Sequence, residues 1–262
     1  ILSKQGRRLS NLDMHDIICQ IGMIVVAGGV RRSALISLSE LEDTEMRDAK
    51  KGQFYLNEGQ RSMANNSAVY NAKPSAEEFL DEWTALVKSR SGERGIFNRA
   101  GLEKQLPKRR WEAIKNERQI GLNPCGEIYL RSKQFCNLTS IVIRPNDTME
   151  TLKRKMELAT LLGTYQSTLT NFGYLSKKWK ENCEEERLLG VSLTGYYDNP
   201  IIRDDKVLDA LRLDSIETNK KYSKRFGINP STAITCVKPH GNSGQLLGVG
   251  SGMHPWYAPY FV

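Results

Sequence analysis

Two cysteines eleven residues apart, Cys125 and Cys136, are the residues of this chain best suited to chemistry. Cys125 lies in the sequence NPCGE at residues 123–127, which places an amide, a thiol and a carboxylate at alternate positions. Alternate side chains of an extended segment point to one side, and the Pro and Gly favour a fixed loop over a helix. Asn123, Cys125 and Glu127 are therefore expected to face one polyhydroxylated substrate, where the amide binds, the thiol is radical or nucleophile, and the carboxylate is base.

The residue types alone leave a structural role for these thiols open. A lone cysteine is usually a small buried hydrophobe, although Glu127 beside Cys125 would need a partner in a core. Zinc is not expected, because the five cysteines contain no C-x-x-C pair and the three histidines are scattered.

Composition favours a soluble protein with an anionic partner. The chain has 262 residues and a net charge of +8, enough for a substantial core in one or two domains. Its basic clusters, at residues 104–110, 177–180 and 220–225, lack interleaved aromatic residues, so nucleotide phosphates are expected rather than direct nucleic-acid binding. No membrane association is expected, because the apolar stretch at 21–30 is too short to span a bilayer. Thiols near a working site favour a reducing, cytoplasmic location.

The hydrophobic pattern alternates between helical and strand-like segments. Helices are predicted at residues 13–27, 42–50, 75–88, 148–170 and 204–226. Strands are predicted at residues 34–38, 66–70, 136–143, 188–193 and 232–237. The highly charged residues 100–121 are predicted to form a surface excursion. Strands that alternate with helices predict an α/β fold with a largely parallel sheet.

Six motifs, in order along nearly the whole chain, resemble those of ribonucleotide reductases, and most of all the adenosylcobalamin-dependent (class II) ribonucleoside-triphosphate reductases. They are VVAGGVRRSA at 25–34, SMANNS at 62–67, GERGIFNR at 92–99, LNPCGEI with QFCNLT at 122–128 and 134–139, NCEEERLLG at 182–190, and TCVKP at 235–239. Each motif alone is weak, but six in register are specific.

The resemblance implies that residues 1–262 are a single catalytic fragment of a ten-stranded α/β barrel. Residues 1–40 would include a specificity loop, and residues 120–145 an active-site finger loop and the strand after it. Both ends look cut from a longer protein. The upstream redox cysteine, a C-terminal cysteine pair and most cobalamin contacts are therefore expected outside this chain, and the fragment alone is expected to be incomplete for turnover.

The resemblance also implies roles for the residues of the finger loop. Cys125 would be the thiyl radical that abstracts the ribose 3′-hydrogen, Glu127 would take the 3′-hydroxyl proton, and Asn123 would hold hydroxyls and the carboxylate. Cys136 would reduce the 2′ position together with the upstream cysteine, so no disulfide is expected for it within this chain. The other cysteines are expected to be structural; they are Cys19, Cys183 and Cys236.

Two glycine-containing loops resemble nucleotide-binding loops of the family, although from the residues alone each is also a plain turn. The specificity loop would be Gly28, Gly29, Val30, Arg31, Arg32 and Ser33. The substrate phosphates would bind Pro239, His240, Gly241, Asn242 and Ser243. His240 stands where the family usually has Ser, and it is expected to replace part of that hydroxyl's contact with phosphate. If it does so as a cation with an unperturbed pKa near roughly 6.5, substrate binding would weaken as the pH rises through that value.

The function implied is an enzyme that reduces ribonucleoside triphosphates to 2′-deoxyribonucleotides by thiyl-radical chemistry, with oxidation of a cysteine pair. Adenosylcobalamin would be the cofactor, a deoxynucleotide the effector, and a thioredoxin-like protein or a dithiol the reductant. A class I or diphosphate-using large subunit is the alternative within the family. A nucleotide-binding fragment without catalysis is the alternative outside it.

Overall fold

The computed structural model describes residues 5–25, 33–117, 119–258 and 260. The chain divides into two compact units. The first contains Ile1–Gln105 and Leu122–Cys125, and the second contains Leu106–Gly121 and Gly126–Val262. Among the described residues, no helix has both the length and the apolar character to cross a membrane.

The first unit is built on a three-stranded parallel sheet. Its strands, in spatial order, are β1 (Leu35–Ser39), β2 (Ala64–Tyr70) and β3 (Gly95–Asn98). Its helices are α1 (Asn11–Met23), α2 (Thr44–Asp48), α3 (Phe54–Asn57), α4 (Ala76–Ser89) and α5 (Leu102–Gln105). A capping box begins α4, because Ser75 and Glu78 each bond the other's backbone N–H.

Buried charges hold this unit together and explain two of the sequence motifs. Arg94 forms an ion pair with Glu82 of α4 at 2.7 Å, and both side chains are buried. The neighbouring Glu93 pairs with Lys50 at 2.9 Å and accepts the backbone N–H of Asn66 on β2. The motifs at 62–67 and 92–99 therefore fasten strands and helices to one another.

The second unit contains a parallel pair of strands, β6 (Asn137–Val142) and β7 (Leu189–Thr194). Thr235 makes an isolated parallel bridge to Val191, which places residues 233–236 on the side of β7 away from β6. Two short strands, β4 (Gly121–Leu122) and β5 (Tyr129–Leu130), pair with each other. The helices are α6 (Lys108–Ile114), α7 (Met149–Gln166), α8 (Lys177–Glu186), α9 (Asp205–Phe226) and α10 (Ser243–Leu246).

One face of the β6–β7 pair forms the hydrophobic core with α7 and α9. The core residues are aliphatic or small, and they are Ile141, Ile143, Leu152, Met156, Ala159, Leu189, Val191, Leu193, Ile202, Leu211 and Ile234. Helix α7 packs against this face at ordinary contact distance, because a Cβ at Gly163 would lie 3.5 Å from Leu189 and from Thr139. Burial of these side chains fixes which face of each strand is turned toward the core. The alternate residues of β6 and β7 must therefore face the opposite side.

The predicted α/β class and most of the predicted elements are confirmed, with small shifts in their ends. The first helix begins earlier than predicted, at Asn11, because Ser10 caps α1 and Asp13 completes its capping box. Residues 232–237 form only a bridge rather than a strand. That the chain is a single catalytic fragment stays a prediction.

The burial expectation for residues 100–121 is wrong, and two helices expose apolar side chains. Residues 100–121 are not simply a surface excursion, because Arg110 is 2% exposed and Ile114 is fully buried. The apolar stripe of α4 is partly exposed, with Trp83 51% accessible, since this helix buries Glu82 against Arg94 instead. Leu162 of α7 points outward at 62% exposure.

Candidate active site

The face of the β6–β7 pair opposite the core carries the candidate chemistry of the second unit. Parallel partners share a face, and the register pairs Leu138 with Gly190 and Ser140 with Ser192. We call this the thiol face, and its residues are Cys136, Leu138, Ser140, Gly190, Ser192, Thr194 and Cys236. Small and polar residues dominate it, in contrast to the aliphatic core face.

Gly190 leaves open the space into which two thiols project. A Cβ at this position would lie 2.5 Å from Cδ2 of Leu138, 3.1 Å from Sγ of Cys236 and 3.3 Å from Sγ of Cys136. Because real Cβ atoms do not approach other atoms as closely as 2.5 Å, any larger residue would force the strand or the thiols to move. The two sulfurs therefore approach each other above a glycine of the central strand.

Both thiols are held in the protonated form. Burial raises the pKa of Cys136 to about 12, and the neighbouring Cys236 adds to the effect. Burial, followed by the charge of Glu127, raises the pKa of Cys236 to about 12 as well. Thiols of this kind are suited to donating hydrogen, whereas a nucleophilic cysteine needs a lowered pKa.

Glu127 belongs to the same neighbourhood, because its charge also acts on Cys136. One of its carboxylate oxygens, Oε2, is buried and has no hydrogen-bond partner among the described residues. A buried acceptor without a partner is costly, and it is available to a ligand that brings a proton or a hydroxyl. The structure thus brings together two of the four predicted catalytic residues, Glu127 and Cys136.

The other two, Asn123 and Cys125, lie in the first unit, and their convergence with Glu127 stays a prediction. Cys125 is exposed, and Asn123 is half-buried. Nδ2 of Asn65 donates to the carbonyl of Pro124 at 2.6 Å. The motif at 62–67 is therefore hydrogen-bonded to the backbone next to Cys125. Gly126 has φ +81°, a backbone conformation that favours glycine.

A buried ion cluster around Glu186, which sequence reasoning missed, joins α6 and α8 to the segment before β6. Glu186 is fully buried and contacts Arg110 and Arg131 at 3.2 Å each. It also accepts hydrogen bonds from Gln134 at 2.5 Å and Thr232 at 2.9 Å. Gln134 and Glu186 lie within the quoted motifs, but nothing in their spacing showed that they pair.

The predicted phosphate-binding loop lies over the carboxyl end of β7. The N–H of Lys238 donates to Ser192 at 2.9 Å. Thr194 Oγ1 donates to the carbonyl of Gly250 at 2.8 Å and accepts the N–H of Gly252 at 2.9 Å. Buried hydroxyls of the thiol face therefore anchor both ends of residues 238–252, and α10 begins inside this loop.

The surroundings of His240 do not favour the cationic form. The side chain is 4% exposed and lies between two hydroxyls, with Nε2 3.2 Å from Ser140 Oγ and Nδ1 2.9 Å from Ser243 Oγ. Burial, together with the ammonium group of Lys238, lowers the pKa of His240 to about 4. The ring is therefore neutral near pH 7, and phosphate binding by the backbone of residues 239–243 stays a prediction.

The remaining predicted sites lie only partly within the residues that the structure describes. Residues 28–32 of the specificity loop lie outside the described residues, and Ser33, which follows them, is half-buried. All five cysteines are free of disulfides. Within the described ranges, no group of three or more His, Cys, Asp or Glu side chains is arranged to hold a metal ion.

Comparison with curated proteins finds relatives along the whole chain. The chain is 29% identical over 291 residues to the adenosylcobalamin-dependent ribonucleoside-triphosphate reductase of Lacticaseibacillus paracasei, covering 99% of this chain and 38% of that protein. It is 31% identical over 294 residues to the protein of the same name from Levilactobacillus brevis, covering 98% and 37%. No family model matches the chain.

Comparison with solved structures also finds ribonucleotide reductases. A B12-dependent (class II) ribonucleotide reductase superposes with a TM-score of 0.68 and 25% identity, covering 96% of this chain and 38% of that one. The class Id ribonucleotide reductase alpha subunit of Actinobacillus ureae also gives a TM-score of 0.68, covering 96% and 55%, but at 13% identity it supports the fold alone.

The fold is that of ribonucleotide reductase large subunits. Within that class, the chain is a homologue of the adenosylcobalamin-dependent ribonucleoside-triphosphate reductases, as its motifs predicted. It spans about 38% of the length of these relatives.

Proposed function

We propose that this chain is the central catalytic portion of an enzyme that reduces ribonucleoside triphosphates to 2′-deoxyribonucleotides. The observation that carries the proposal is the thiol face, where the sulfurs of Cys136 and Cys236 lie over the open position at Gly190 and the charge of Glu127 acts on both. The relatives that match 99% of the chain carry the same activity in their name.

Reduction of the ribose requires a protonated thiol near its 2′ position. Replacing the 2′-hydroxyl by hydrogen takes two electrons, which two thiols supply when they become a disulfide, and the hydroxyl leaves as water. Cys136 is proposed as one of these thiols, and its raised pKa keeps its hydrogen in place. Its partner is expected in the upstream part of the full-length protein.

Adenosylcobalamin, when bound, would supply the radical that converts the thiol of Cys125 into a thiyl. The exposure of Cys125 fits a thiol that is reached by a cofactor held mostly by other parts of the protein. The thiyl would take the 3′-hydrogen of the ribose, and Asn123 would bind the hydroxyls. The unpartnered oxygen of Glu127 would accept the 3′-hydroxyl proton.

The partners follow from the same proposal. The substrate phosphates would bind the loop formed by Pro239, His240, Gly241, Asn242 and Ser243. A deoxynucleotide effector would act through residues 28–33, and a thioredoxin-like protein or a dithiol would reduce the oxidised cysteines. A reducing compartment, the cytoplasm, suits five free cysteines.

A class I or diphosphate-using large subunit is the second candidate, because the shared fold does not distinguish it from the class II type. Sequence identity separates the two, at 25% to the class II structure and 13% to the class Id subunit. The cobalamin-dependent type is therefore favoured.

Turnover by the purified full-length protein tests the choice. The protein is given dithiothreitol and either a ribonucleoside triphosphate or a diphosphate, with and without adenosylcobalamin, and deoxynucleotide is quantified by chromatography. We expect product from the triphosphate only when the cofactor is present. Product without the cofactor, or from the diphosphate in preference, favours the second candidate, and no product under any condition contradicts reductase activity.

A further inference from the structure

Ser140 differs from the other hydroxyl residues of the thiol face. Ser192 and Thr194 are buried, and both are used to anchor residues 238–252. Ser140, which is paired in register with Ser192, is exposed. Its hydroxyl contacts the buried ring of His240 and remains open to a ligand on the other side.

The ring of His240 sets the direction of the serine hydrogens. A neutral imidazole carries one N–H donor and one acceptor, and here each nitrogen faces a serine. If Nε2 carries the hydrogen, it donates to Ser140, whose own hydrogen then turns away from the ring. If Nδ1 carries it, the same holds for Ser243. In either tautomer, one serine presents an O–H donor to the surroundings.

The distance along β6 from Cys136 to Ser140 is one that a nucleotide could span. Ser140 lies four residues beyond Cys136 on the same face, which at 3.3 Å per residue is about 13 Å. If the loop at residues 239–243 binds the phosphates, a ribonucleotide whose ribose lies beside Cys136 would place them toward Ser140. Ser243 and the loop at residues 239–243 lie at the same end, through His240.

We propose that Ser140 donates its hydroxyl hydrogen to the substrate phosphates, and that His240 is a positioning residue that orients it. In this arrangement Nε2–H of His240 donates to Ser140, and Nδ1 accepts the hydrogen of Ser243. This inference rests on the proposed function and adds to it a phosphate contact from β6. Ser140 would then replace the hydroxyl that the family usually has at position 240.

Equilibrium binding to the full-length protein tests this inference. Wild type and Ser140→Ala are compared for CTP, cytidine and inorganic tripolyphosphate, with Ser132→Ala as the matched control, because Ser132 is an exposed serine in the turn before β6. A hydrogen bond to a charged group is worth enough that we expect Ser140→Ala to weaken CTP and tripolyphosphate about tenfold. Cytidine binding and the Ser132→Ala control are expected to change less than about twofold.

Two variants of His240 distinguish a role in orienting the serine hydroxyl from a role in filling space. Glutamine offers one donor and one acceptor, so His240→Gln is expected to keep most of the CTP affinity. His240→Leu is expected to lose as much as Ser140→Ala. Equal losses for CTP and cytidine in Ser140→Ala, or no loss, overturn the inference, as does equal binding by the two His240 variants.

Failure of this inference can be told apart from failure of the proposed function. If wild type binds CTP in a Ser140-dependent way but makes no deoxynucleotide, reductase activity fails and the phosphate contact stands. If wild type makes deoxynucleotide and Ser140→Ala binds CTP normally, the phosphate contact alone fails.

Discussion

The sulfur atoms of Cys136 and Cys236 approach each other over β7 from its two sides, each within 3.3 Å of the Cβ position that Gly190 lacks. Cys136 precedes β6, and Cys236 follows the bridge at Thr235. The pair of thiols therefore depends on the central strand having no side chain at that point.

Gly190→Ala is expected to destabilise the protein and lower turnover. The added methyl would lie 2.5 Å from Leu138 and within 3.3 Å of both sulfurs, and overpacking of this kind costs about 1–3 kcal/mol. Gly163→Ala is the matched control, because its Cβ would meet Leu189 at 3.5 Å, an ordinary contact, inside helix α7. Thermal unfolding and turnover are measured for both variants. A Gly190→Ala protein that matches wild type in both shows that the space is not needed.

The cysteines are expected to differ in their reactivity toward iodoacetamide at pH 8. With pKa values of about 12, Cys136 and Cys236 are almost wholly protonated, and the thiol form does not react. Cys125 is exposed and is expected to be alkylated first. Peptide mapping by mass spectrometry over time gives the order, and labelling of Cys136 as fast as Cys125 contradicts the burial described here.

Glu186→Gln is expected to lower the free energy of unfolding by about 3–5 kcal/mol, because it leaves two buried arginines without their shared carboxylate. Arg110 and Arg131 each contact Glu186 at 3.2 Å, away from solvent. Glu157→Gln removes a carboxylate from an exposed pair with Arg154 and is expected to cost less than about 1 kcal/mol. Chemical denaturation compares the two, and equal losses would show that the buried cluster does not stabilise the unit.

The stability contribution of His240 is expected to depend on pH. Its pKa is lowered to about 4 in the folded protein, below its ordinary value of roughly 6.5. The unfolded chain therefore binds a proton first as the pH falls. The contribution is full above the unfolded value and is lost as the pH falls toward 4.

His240→Gln, which does not titrate, provides the comparison. The stability of wild type relative to this variant is expected to be greater at pH 7 than at pH 4.5. A difference that stays constant over this range, measured by denaturant unfolding, contradicts a lowered pKa for His240.

Much of the second unit could be predicted from sequence because its signals are local. Alternation predicted β6, and the caps at Thr148 and Asp204 define helices α7 and α9. The core face follows from the same alternation, as does the position of Cys136 at the start of a strand.

The rest depended on contacts between residues far apart in the chain. Arg110 looked like a surface residue until its partner Glu186, 76 positions later, was known. The burial of His240 also depends on a distant contact, since Ser140 lies 100 residues away and the residue types gave no sign of burial. The sequence predicts a structural role for Cys236, because nothing near it in sequence shows that its sulfur lies beside Cys136 over Gly190.

Turnover of Cys125→Ala in the full-length protein tests the central claim most directly. Wild type and variant are given adenosylcobalamin, dithiothreitol and a ribonucleoside triphosphate, and nucleotide binding is measured beside product formation. Wild type is expected to form deoxynucleotide, and the variant is expected to form none while binding the nucleotide nearly as well, because the sulfur serves the chemistry rather than affinity. Substantial turnover by Cys125→Ala would contradict the account.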